Sequence, residues 1–133
     1  MRQYALERIA GLLVRLTVEV ERSKTARDEE AVHDLRVTIR RFARSLQVFA
    51  QFVPRRPAKQ IRKRLRHIMD LTAEVRNRDI TILLLKEHGI DGPVEDLMRD
   101  RKLSVRILVS ELERWQVEHD EIRWRASLEL PSQ

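Results

Sequence analysis

The chain contains no cysteine, so no disulfide framework holds it and no thiolate carries chemistry, as suits a reducing cytoplasm. Three glycines and four prolines in 133 residues leave few helix breakers, which favours long helices joined by short connections. No apolar run is long enough to span a bilayer, and Met1-Arg2-Gln3-Tyr4 does not lead into a signal-type core. Strand-like alternation, internal repeats and low-complexity tracts are also missing. The most informative absence is local. Between Leu35 and Met69 there is no Asp or Glu, against eleven Lys or Arg residues.

A chain of this length fits one domain, 1–133, with a real core, and its 42% hydrophobic and 36% charged content argues against disorder. The net charge of +6 points to an anionic partner, although composition alone does not choose among nucleic acid, acidic membrane and small polyanion. The charge is not spread evenly. Outside the 35–69 window, sixteen basic residues face twenty-one acidic ones, a balance of −5 against +11 inside it.

That window reads as two helices, each with a cationic side. At about 100° per residue, His33, Arg36, Arg40 and Arg44 fall within an arc of roughly 80°, while Val32, Leu35, Ile39, Phe42, Leu46 and Phe49 form the opposite, core-seeking stripe. The second piece repeats the pattern: Lys59, Arg62, Lys63 and Arg66 share one side, and Ile61, Leu65, Ile68 and Thr72 the other. Guanidinium groups bind phosphate through paired hydrogen bonds and stay charged at any relevant pH. Cations repeated every turn, about 5.4 Å apart, suit a linear polyanion. His33, in line with three arginines, can donate to phosphate oxygen.

The rest of the chain supplies a scaffold. Leu6, Ile9, Leu13, Leu16 and Val20 predict an amphipathic first helix over 2–22, with 23–27 as a connection. Asp28, Glu29 and Glu30 suit the start of helix 2, which runs to about Phe52 and stops before Pro54. Pro57 suits the first position of helix 3. The apolar phase slips after Arg76, so a bend or break near Glu74–Asn77 is expected, followed by a short buried helix to about Glu87. His88-Gly89-Ile90-Asp91-Gly92-Pro93 separates this from helix 4, whose stripe is Val94, Leu97, Met98, Val105, Leu108, Leu112 and Trp115. Leu103 and Ile107 lie off that stripe and hint at a second packing surface. The tail from Glu118 is charged, with Ile122, Trp124 and Leu128 available for docking. The expected fold is all-α, an antiparallel up-and-down four-helix bundle, with the basic sides of helices 2 and 3 bordering one groove.

No Gly-rich phosphate loop or paired carboxylates stand near the basic side, so an enzyme is not expected, nor a cofactor. His67 and Asp70 are three residues apart, but no second pair has ligand spacing, so no metal site is expected. The alternatives are a non-specific nucleic-acid binder and a helical module for an acidic protein. Single-strand binders add stacking aromatics to a basic track, whereas Phe42 and Phe49 fall on the apolar side; no groove-reading motif is present.

The stretch His33-Asp34-Leu35-Arg36-Val37-Thr38-Ile39-Arg40-Arg41-Phe42-Ala43-Arg44 resembles the signature of CHAD domains, the conserved-histidine α-helical domains. Glu74-Val75-Arg76-Asn77-Arg78-Asp79-Ile80 is similar to that family's second landmark. The resemblance implies an all-helical fold that binds inorganic polyphosphate without catalysis, in the cytoplasm and at polyphosphate granules, with no membrane association. It assigns His33, Arg36, Arg40, Arg41 and Arg44 to the signature helix, Arg76 to the second landmark, and Lys59, Arg62, Lys63 and Arg66 to the facing basic helix. Typical members have two four-helix bundles, so this chain corresponds to half of one. A homodimer that rebuilds the pair is the resulting expectation.

Overall fold

The computed structural model describes residues 1–25 and 28–132. Its elements among these are helices only: α1 (Arg2–Thr25), α2 (Glu29–Val48), a short 3-10 turn (Ala50–Phe52), α3 (Arg55–Glu87), α4 (Val94–Val117) and α5 (Asp120–Ser127). Helix α1 is three residues longer than its pattern suggested. Ser23 is buried beneath the start of α2 and its hydroxyl reaches the Ala31 carbonyl at 3.4 Å. Of the expected 23–27 connection, Ala26 and Arg27 lie outside the described residues.

Asp28 caps α2 by accepting from the Ala31 N–H at 2.8 Å, with Glu29 and Glu30 in the first turn. This is the local chemistry that their position promised. Helix α3 opens at Arg55 with Pro54 at the N-cap, so Pro57 is its third residue rather than its first. It still falls where backbone N–H groups have no partner inside the helix.

The expected break at Glu74–Asn77 does not exist. Helix α3 is continuous over 33 residues, because nothing inside it interrupts the hydrogen-bond ladder. The slipped apolar residues do not form a buried helix either. Ile80, Leu83 and Leu84 are 42%, 55% and 50% exposed. The helix ends at Gly89, whose φ of +68° permits Gly89 N–H to reach Lys86 O (3.1 Å) and Ile90 N–H to reach Leu85 O (2.9 Å).

Helices α1 and α2 are antiparallel. Arg22 meets Asp34 at 2.5 Å near one end, and Tyr4 lies edge-on to Phe49, centroids 6.2 Å apart, at the other. Helices α3 and α4 are antiparallel too, with Arg64 against Glu111 and Arg101 against Asp79. The two hairpins sit askew. Gln116, near the end of α4, bonds Lys24 and Glu21 at the end of α1, whereas a regular up-and-down bundle would bring it to the start. The charged tail fills the space this leaves. Helix α5 packs on α1, and Trp124, Leu128 and Leu130 join the core formed by Ile9, Leu13, Phe42, Leu65, Leu112 and Trp115. Trp124 stands 5.8 Å from Trp115 and 6.1 Å from Phe42, centroid to centroid.

Candidate functional site

The seam between α2 and α3 is fixed by one arginine. Its apolar neighbours Leu35 and Ile39 are buried, which turns Arg36 toward α3. There its Nη1 donates to the hydroxyl of Thr72 at 2.8 Å and to the Met69 carbonyl at 3.2 Å. Thr72, fully buried, donates its own hydroxyl hydrogen bond to the same carbonyl at 2.7 Å. The Arg36 guanidinium is held below the ordinary arginine value, first by burial and then by the nearby charges of Arg76 and Arg40. Three cations from two helices therefore converge on one spot.

An open cavity of about 560 Å³ lies at that spot. His33, Arg36 and Val32 of α2 line it together with Arg76 and Asp79 of α3 and with Asp28, Glu29 and Glu30 at the start of α2. Asp79 is bound from behind by Arg101 of α4.

The remaining candidates follow from the antiparallel register. With Arg36 level with Met69–Thr72, each turn forward on α2 is a turn back on α3. Arg40 and Arg44 follow Arg36 one and two turns further along the same side of α2. Arg66 is exposed; Arg62 is half-buried, with its Nε enclosed and without a hydrogen-bond partner. Lys59 and Lys63 are exposed further round the same side of α3. Arg41 stands apart. It follows Asp34 by seven residues and so lies on the flank of α2 from which Asp34 reaches Arg22 of α1. Among the described residues, none of the ten candidates is ion-paired with a carboxylate.

Arg64 shows the contrast. It lies within the same acid-free window, one residue past Lys63, but that single step turns it to the opposite flank. There it meets Glu111 at 3.2 Å, Asp120 at 3.4 Å and Glu118 at 3.7 Å. It is a structural cation, matched by acids from α4 and α5. The sequence pattern did not single out Thr72 or Asp79; their roles depend on which helix lies opposite.

The arrangement presents guanidinium groups at helical intervals that form no ion pair among the described residues, beside a cavity that four carboxylates also line, and such groups suit several negative charges at once. Among the described residues no cluster of three or more His, Asp or Glu side chains could hold a metal ion, and no helix is long and apolar enough to cross a membrane.

Comparison with curated proteins and with solved structures gives no match. A family model, that of the CHAD domain, matches residues 7–128. That is nearly the whole of the chain, and with the acid-free basic window between Leu35 and Met69 inside the match, the chain belongs to the CHAD domain family, which is associated with polyphosphate binding.

Proposed function

We propose that this protein binds inorganic polyphosphate, without catalysis, through the adjoining basic sides of α2 and α3. The observation that carries the reading is the convergence of Arg36, Arg40 and Arg76 at the helix seam with no carboxylate paired to any of them. Like charges held this close oppose one another, and a bound polyanion removes that opposition. On this reading Thr72 orients the Arg36 fork, and the row from Arg40 to Arg66 extends the contact. The protein then works in the cytoplasm, including at polyphosphate granules.

A non-specific nucleic-acid binder shares the charge and needs only phosphate contacts on a duplex, whereas a single-strand binder usually adds aromatics on which bases stack. Phe42 is completely buried, and the exposed Tyr4 of α1 packs its ring against Phe49, which falls on the side of α2 opposite its basic row. An acidic protein partner remains the other rival. Labelled polyphosphate competed with single-stranded RNA, duplex DNA and an acidic peptide at physiological salt separates the three.

The sharper test is the Arg40→Glu, Arg66→Glu double variant. It is expected to lose polyphosphate binding with its helical content unchanged, while the parent's affinity falls steeply as salt is added. Undiminished binding by the double variant would show that the seam is the wrong site.

We also propose that two copies associate. Support comes from the outer half of the α3–α4 hairpin, where Ile80, Leu83 and Leu84 on α3 and Leu103 and Ile107 on α4 remain exposed.

A further inference from the structure

The basic row has unlike ends. At the α2–α3 turn it continues onto Arg55 and Arg56, both exposed and followed by no acid before Asp70. At the His33–Arg76 end it stops twice over. The same cavity is also lined by Asp28, Glu29 and Glu30 at the start of α2, Glu30 lying 3.8 Å from Arg22, and by Asp79 of α3. On α3 the positions that continue the line of Arg62, Arg66 and Arg76 are Ile80, Leu83 and Leu84, apolar side chains on the same side of the helix, exposed in the single chain and covered by the second copy in the association proposed above. The first change reverses the sign of the local charge. The second removes every donor. A chain of phosphates running from the turn toward His33 meets attraction as far as Arg76 and repulsion or a dry surface beyond it.

From this we infer that the track is closed at the His33–Arg76 cavity and takes the terminus of a polyphosphate chain there, the body of the chain leaving over the α2–α3 turn. This rests on the polyphosphate reading above and adds a direction to it. The span from His33 to Arg44 is roughly 17 Å at 1.5 Å per residue, so the grip covers only a short terminal stretch. A linear chain has two termini, whatever its length. The number of protein molecules it carries is then fixed by its ends and not by its size.

The test measures binding stoichiometry by titration calorimetry and sedimentation, using narrow-size linear polyphosphates of three lengths, each well beyond twice the track. The same number of protein molecules per chain is expected at all three lengths. Chains whose terminal phosphates are blocked as bulky phosphoramidates should bind at least tenfold more weakly. A number that grows in proportion to length, or blocked chains that bind as tightly as free ones, would overturn the closed-track inference while leaving polyphosphate binding intact. Absence of binding at every length would overturn both. The Glu29→Gln, Glu30→Gln variant, which keeps the Asp28 cap, supplies the converse. With these two side chains neutralised, occupancy should begin to rise with chain length; a count that stays fixed would show that these carboxylates are not the stop.

Discussion

Arg36 and Arg64 lie in the same acid-free window yet have opposite fates. The first meets a hydroxyl and a carbonyl and keeps its charge unmatched; the second meets three carboxylates. Helical phase alone separates them, so their sorting was legible in the sequence. The identity of their partners was not, because Thr72 and Asp120 come from elements whose placement depends on the whole core. Asp120 makes this measurable. It is 3% exposed, and burial raises its carboxyl above the usual value of 3.8 despite the pull of Arg64. A carboxyl that holds its proton more firmly when folded stabilises the protein fully below its unfolded value, and that stabilisation drains as pH climbs through the folded one. Glu118 runs the other way: Arg114 lowers its value, so its contribution is present above the usual range and lost as pH falls. Urea midpoints of Asp120→Asn are therefore expected to gain steadily on those of the parent as pH climbs upward from the usual carboxyl value of 3.8. A difference that stays constant over that climb would mean that burial does not govern this carboxyl.

The elements were largely legible because each helix carries a clear apolar stripe. The exception is the outer part of α3. A slip in the apolar phase reads as a bend only if the displaced residues are buried, and here they face solvent. A pattern of hydrophobic residues cannot distinguish a second core from an uncovered surface. The stop at Gly89 was plain, since only a residue tolerant of positive φ can close the helix as observed. No neighbour crowds a β-carbon at Gly89, so Gly89→Ala tests the backbone alone. It should cost roughly 1 kcal/mol in chemical denaturation, with polyphosphate binding unchanged because the turn is remote from Arg36. A neutral outcome would mean that the hairpin turn is free to rearrange.

At the scale of the molecule, the helical class followed from composition and periodicity, but the arrangement did not. Periodicity says which side of a helix is buried, not the angle at which two hairpins cross. The end of α4 meets the end of α1, and α5 occupies the room this leaves. The exposed side chains at the outer α3–α4 hairpin belong to this scale, since none of the described elements covers them. Sedimentation at tens of micromolar is expected to give twice the monomer mass, and Leu83→Glu with Ile107→Glu should return it to the monomer mass without loss of helix. A parent that sediments as a monomer, with and without polyphosphate, would remove the association.

The meeting of Trp115, Trp124 and Phe42 has a practical corollary. These are the only two indoles in the sequence, and both are shielded in one cluster that touches the helix bearing Arg36. Their emission is thus a built-in optical gauge, requiring no label. It would shift to the red if the carboxy-terminal segment peeled away, and hold steady while a ligand settled on the far side of α2.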